Sequence, residues 1–140
     1  MNEDEIIIHT DGGARGNPGP AACAFVAEVG GKVVQQGSLF LKSSTNNFAE
    51  YQGVIIALKW LGESYTDFPI GKATFYLDSE LVVRQLNGLY KVKHKKLIEL
   101  FHKVNEISKN ISLTIYYKNI PRFKNKVADF LVNKVLDENT

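Results

Sequence analysis

The chain has 140 residues, 44% of them hydrophobic, a single cysteine and a formal net charge of +2. That length suits one domain with a proper core, and no apolar run approaches the roughly 20 residues that cross a bilayer. A lone cysteine excludes an internal disulfide or a cysteine-built metal cage, and a charge this near balance does not by itself argue for nucleic acid.

The first residues, Met1 to Glu5, are acidic and polar and resemble neither a secretory nor a mitochondrial leader. A reducing cytoplasm is the expected compartment, with no membrane association. Ile6-Ile7-Ile8 then runs through His9 and Thr10 to Asp11. On a strand, Ile6, Ile8 and Thr10 face one way and Ile7, His9 and Asp11 the other. Asp11 is thus expected at the end of a buried strand, beside a loop with four glycines and two prolines (Gly12 to Pro20). Asp-Gly is also an ordinary turn signal. Bare backbone of this kind lets a ligand approach closely.

Ala22 to Val29 suits a second strand, Gly30-Gly31 a hairpin turn, and Lys32 to Leu41 a third strand returning antiparallel. A dinucleotide fingerprint needs a helix after its glycines, and a phosphate loop needs Gly-Lys-Ser/Thr. Here Gly13-x-x-Gly16 leads into a strand, which supports neither. Cys23 falls in the alternating apolar pattern and reads as core filler.

Ser43 to Asn47 is rich in capping side chains and opens a helix from Phe48 to about Leu61, where Gly62 is expected to stop it. Glu50 is expected in its first turn, where an acid also simply favours the helix dipole. Ala73 to Leu77 is a short strand that again stops on a carboxylate, Asp78, and Ser79-Glu80 opens a short helix to Leu86. Two strands that each end in Asp are informative, because ligands on α/β sheets gather beyond strand carboxyl ends.

Tyr90 to Lys96 is a basic run, either a solvated face or a phosphate-facing patch. Lys95 to Lys109 is an amphipathic helix and Ile111 to Tyr117 a strand. Asn119 to Arg122 is an extended link. A last helix buries Ala128, Leu131, Val132, Val135 and Leu136, with Asp129 at the edge of the stripe. A carboxylate there is costly unless paired, hydrogen-bonded or coordinated to a cation.

The order β-β-β-α-β-α-α-β-α thus carries Asp11, Glu50, Asp78 and Asp129. From about Glu5 to Leu136 the chain resembles the type 1 ribonuclease H family. The matching blocks are Thr10 to Pro20, Thr45 to Tyr51, Leu77-Asp78-Ser79-Glu80, and Ile120-Pro121-Arg122 through Asn125 to Ala128-Asp129. No one block is decisive, but four in order are highly specific. The resemblance implies an α/β ribonuclease H-like fold, a central five-stranded mixed sheet flanked by helices in a single domain, acting as a monomer. It also implies hydrolysis of the RNA strand of an RNA–DNA hybrid, leaving 5′-phosphate and 3′-hydroxyl ends. Two Mg²⁺ ions, or Mn²⁺, would be bound by the four acids. In-line displacement at phosphorus by a cation pair explains the need for so many carboxylates, and hard cations prefer oxygen ligands. Asp11 would bridge both ions, Glu50 and Asp78 would hold the leaving-group ion, and Asp129 the ion beside the attacking water. Without metal these acids should repel and raise some of their own pKa values.

By the same resemblance Asn17, Asn46 and Asn47 would reach the minor groove of the hybrid, where the 2′-hydroxyl distinguishes RNA. Capping and turn formation is the plainer role for them. Gly12, Gly13, Arg15, Ser79, Asn119 and Arg122 are further candidate substrate contacts. Lys91, Lys93, Lys95 and Lys96 are candidate clamps on DNA phosphates. Asn119 stands where the family often has a histidine, Glu80 where many relatives have glutamine, and Phe48 where arginine is frequent. Glu80 is expected to add negative charge near the metals. The long basic protrusion of the bacterial form and a separate hybrid-binding domain are absent from the pattern, so weaker affinity is expected. His9 shares the face of Asp11 and is read as a core or edge histidine, or as a group behind the acids. A catalytically weak nucleic-acid-binding module and a DNA-directed nuclease of the same superfamily are the competing readings.

Overall fold

A computed structural model describes residues 4–140. Three strands come first: β1 (Glu5–Ala14), β2 (Gly19–Val29) and β3 (Lys32–Ser44). They are followed by α1 (Asn46–Ser64), β4 (Lys72–Leu77), α2 (Glu80–Leu86), α3 (Lys95–Ser108), β5 (Thr114–Asn119) and α4 (Lys126–Asn139). The sheet order is β3-β2-β1-β4-β5. β1, β2 and β3 pair antiparallel, whereas β1–β4 and β4–β5 are parallel.

The expected five-stranded mixed sheet is therefore present, and its register explains where the acids go. In the parallel β1–β4 pair, Ile8 lies opposite Phe75 and His9 opposite Tyr76. Two residues further along each chain are Asp11 and Asp78, side by side at the same end of neighbouring strands.

Strand alternation divides the interior in two. Ile6, Ile8, Phe25, Phe75 and Leu77 pack with Tyr51, Leu58 and Leu61 of α1 and Leu97, Leu100 and Val104 of α3. Full burial of side chains of this size contributes about 1.5–3 kcal/mol each. On the other face Ala22 and Ala24 meet Val132 and Leu136 of α4 in a smaller cluster. Cys23 is fully buried, as its alternation implied, and burial pushes its thiol up to about 12. The hairpin at Gly30-Gly31 forms as expected, with φ of +58° and +79° that suit glycine.

Several boundaries differ from expectation: strand extends into both ends of the glycine loop, β3 runs on to Ser44 and β5 to Asn119, and three further differences concern α1 and the start of β5. α1 begins at Asn46 and runs through Gly62 to Ser64 before a single 3₁₀ turn, Tyr65–Asp67. A glycine inside a helix costs about 1 kcal/mol. Here the position faces Ile111, whose side-chain atoms would be 3.7 Å from an added Cβ, so packing outweighs propensity. The earlier start also puts Glu50 beyond the first turn. β5 begins at Thr114 rather than Ile111. Ile111 is buried, and its N–H closes the end of α3 on the Ser108 carbonyl, so its apolar character serves the helix layer and not the sheet.

Candidate active site

β1 and α1 approach so closely that two glycines are required between them. A Cβ on Gly12 would lie 2.3 Å from the carbonyl carbon and oxygen of Ala49, and one on Gly53 would lie 2.8 Å from the Asp11 carbonyl oxygen. This contact brings the carboxylate of Glu50 to β1, where its Oε1 accepts a hydrogen bond from the Gly12 N–H at 2.9 Å. Asp11 and Glu50 end up buried, at 7% and 5% exposure, while Asp78 is half-buried.

One carboxylate oxygen from each of Asp11, Glu50 and Asp78 lies within 4.8 Å of the others. Burial raises Asp11 to about 7, followed by the repulsion of Asp78 and Asp129 and opposed by hydrogen bonding to Glu50 and Gly12. Glu50 is also raised well above the ordinary carboxylate range, first by burial and then by the charge of Asp11. The expected rise is therefore present, with desolvation ahead of mutual repulsion as its cause. Glu50 Oε2 is buried without a hydrogen-bond partner. An unpaired buried carboxylate oxygen facing two other acids suits a hard divalent cation, which would supply the missing positive charge and take oxygen ligands. The residues fit a metal.

A cleft of about 540 Å³ surrounds these groups. All four acids line it, Asp129 from α4 standing beside the tight cluster of three. Gly12, Gly13, Arg15, Asn46, Asn47, Ser79 and Arg122, which the resemblance offered as candidate substrate contacts, line it too. Arg15 is engaged by the last turns of α4. Its guanidinium lies 2.6 Å from Asp137 and 3.4 Å from the side-chain oxygens of Asn133 and Thr140. Ser79 caps α2 by accepting from the Val82 N–H.

The asparagines act first as local ties. Asn17 Oδ1 accepts from the Asn46 N–H at 2.9 Å, and Asn46 Oδ1 accepts from the Ala14 N–H at 2.8 Å, joining the glycine loop to the start of α1. Asn17, Asn46 and Asn47 also line a neighbouring groove of about 710 Å³ with Ser43, His94 and Lys96. From the basic run, then, His94 and Lys96 reach that groove, whereas Lys91 and Lys93 line neither depression.

Asn119 lies outside the cleft lining; its amide donates to the Leu77 carbonyl at 3.1 Å and buttresses the strand end that carries Asp78. Glu80 is turned to Arg84, 2.9 Å away on the exposed face of α2, and does not line the cleft, contrary to the added negative charge expected near the metals. His9, on the central strand β1, stacks on Tyr76 with ring centroids 5.3 Å apart, and burial lowers its pKa; it does not line the cleft. Two residues carried no assigned role in the sequence reading. Asn133 donates to both the carbonyl and Oδ1 of Asp129, and Asn125 donates to Asp78.

The comparisons with known proteins agree with this geometry. Residues 9–135 match the family described as Reverse transcriptase-like. A ribonuclease H of Chlorobium phaeovibrioides is 30% identical over 118 residues, covering 76% of this chain and 76% of that protein. The chain belongs to the type 1 ribonuclease H family. LC11 RNase H1, solved in complex with an RNA/DNA hybrid, is 41% identical, superimposes with a TM-score of 0.90, and is covered over 98% of its length by 96% of this chain. RNase H1 of Halobacterium salinarum is 32% identical with a TM-score of 0.86, covering 96% of this chain and 98% of that one. The chain spans 36% of the length of the mycobacterial relatives it matches and 65% of the curated Halobacterium protein. Among the described residues no helix is long and apolar enough to cross a membrane.

Proposed function

We propose that this chain is an endonuclease that hydrolyses the RNA strand of RNA–DNA hybrids with divalent cations, two Mg²⁺ or Mn²⁺ ions, leaving 5′-phosphate and 3′-hydroxyl ends. The observation that carries this reading is the convergence of Asp11, Glu50 and Asp78 in an open cleft that Asp129 also lines. Bound there, such cations supply Lewis-acid stabilisation of phosphate charge and ease deprotonation of the attacking water.

The chain itself does the rest. Glu50 and Asp11 are fixed by the β1–α1 contact, so their oxygens require little rearrangement to serve as ligands. Gly12 and Gly13 leave the floor of the cleft without side chains. Arg122 offers a charged fork to a phosphate, a geometry guanidinium groups meet with paired N–H donors. The Asn17 and Asn46 side-chain oxygens are used internally, which orients their NH₂ groups, and among the described residues those groups have no protein partner. They lie in the groove that continues from the cleft, which also carries His94 and Lys96. A second strand of nucleic acid is the natural occupant of that groove. The hybrid bound in the crystal of LC11 RNase H1 supports the choice of substrate.

The test uses labelled RNA–DNA hybrid, RNA duplex, DNA duplex and single strands, each with Mg²⁺, Mn²⁺ or chelator. Metal-dependent cutting of RNA in the hybrid alone is expected, and cutting of DNA duplex, or cutting that survives chelator, contradicts the reading. Asp78→Asn should lower hybrid cleavage by roughly a hundredfold or more, the loss typical when a preorganised electrostatic group is removed. Its circular dichroism should match the wild type.

A further inference from the structure

Asn125 stands immediately before α4 and is 1% exposed, a rare placement for an amide. Its position suggests a helix cap, but its side chain makes no capping hydrogen bond. The amide points elsewhere. Nδ2 donates to the Thr10 carbonyl at 2.9 Å and to Asp78 Oδ2 at 3.2 Å. The main-chain carbonyl of Asn125 accepts from the Asp129 N–H at 3.1 Å. One residue therefore meets the strand just before Asp11, the side chain of Asp78 and the main chain of Asp129. Both contacts made by Nδ2 need a donor, so the amide is held in one orientation and its Oδ1 is left buried without a partner.

We propose that Asn125 is a positioning residue that fixes the carboxylate plane of Asp78 and so sets the affinity of the acid cluster for divalent cations. The inference rests on the metal-dependent reading above. A carboxylate has roughly four lone-pair sites, so one hydrogen bond from Asn125 fixes its rotation without exhausting its capacity for a cation. Groups that orient ligands in this way are worth about 10–100-fold in metal affinity or activity. Aspartate at this position has nearly the same shape but no N–H to donate, and it would face Asp78 with a second negative charge. Alanine removes the donor without adding charge.

The test is titration of metal-free full chain with Mn²⁺ by calorimetry, for wild type, Asn125→Ala and Asn125→Asp. Mn²⁺ should bind at least tenfold more weakly to Asn125→Ala, and more weakly still to Asn125→Asp. Hybrid KM should stay unchanged while kcat at limiting Mn²⁺ falls and recovers as Mn²⁺ is raised. A helix-start role alone would lower thermal stability and leave Mn²⁺ affinity alone. Affinities within twofold of wild type in both variants overturn the proposal, as does a wild type that binds no Mn²⁺. Should neither variant fold, the side-chain NH₂ resonances of Asn125 in the wild-type protein decide the matter. They should shift on titration with Mg²⁺, and unmoved resonances at saturation overturn the proposal. A wild type that binds Mn²⁺ in the expected pattern yet cuts no hybrid refutes the nuclease reading and leaves Asn125 in place. Hybrid cutting with unchanged affinities does the reverse.

Discussion

Asp11 and Glu50 are held where two main chains touch, whereas Asp78 and Asp129 are held by the amides of Asn125 and Asn133. The first pair is buried and strongly raised in pKa; the second lies on the half-exposed side of the same cleft. Main-chain contact cannot relax when a single side chain changes, so the buried pair is part of the fold. Amide hydrogen bonds are local and each is worth about 0.5–1.5 kcal/mol net. The open pair can therefore be loosened without unfolding the protein. Rigidity lies where the charge is hardest to tolerate, and adjustability where solvent and substrate enter.

The contrast breaks most severely at Gly12. A methyl group at that position would lie 2.3 Å from the Ala49 carbonyl, backbone that cannot swing aside. Gly12→Ala should destabilise the protein by about 3 kcal/mol or more, at or beyond the upper range of overpacking. Urea unfolding checks this, and a variant as stable as wild type would refute the main-chain contact.

A smaller effect follows from the raised acid itself. Asp11 moves from an ordinary 3.8 to about 7 on folding, so the folded, metal-free protein keeps a proton that the unfolded chain releases. That proton's contribution is complete below the unfolded value and is lost as pH rises through about 7; Glu50 acts in the same direction. Relative to Asp11→Asn, metal-free wild type should thus lose stability between about pH 5 and about pH 8, by on the order of a few kcal/mol. Saturating Mn²⁺ should close the gap. Chemical-denaturation midpoints with and without the ion measure both, and a flat difference across this range would contradict the burial of Asp11.

The smallest effect belongs to the open pair. Asn133→Ala removes the 3.3 Å hydrogen bond to Asp129 Oδ1, together with the exposed ones to the Asp129 carbonyl and from Arg15. Alanine is the better helix former, which offsets the lost exposed hydrogen bonds, so melting temperature should change little while Mn²⁺ affinity falls by roughly twofold to fivefold. Loss of both together would mean that Asn133 serves the helix and not the acid.

The same division governs what the sequence displayed. Asp11 and Asp78 were legible because each ends an apolar run, and Glu50 and Asp129 because they fall in blocks that resemble the family. The order of elements followed from periodicity together with turn glycines and helix-capping side chains. Gly62 misled because a stop signal was overridden by packing against Ile111, a partner far along the chain. Ile111 itself looked like the start of a strand because burial against helices and burial in a sheet leave the same apolar mark. Asn125 and Asn133 carried no assigned role in the sequence reading. Their significance depends on partners fixed by tertiary structure: Asp78 lies 47 positions from Asn125 and the Thr10 carbonyl 115.

Asp129 arrives on α4, which follows all five strands in the chain and docks on Ala22 and Ala24 of β2. A nascent chain still missing that helix carries three of the four acids but not the whole set. Assembly of the whole acidic set is thereby tied to the docking of α4 on the sheet.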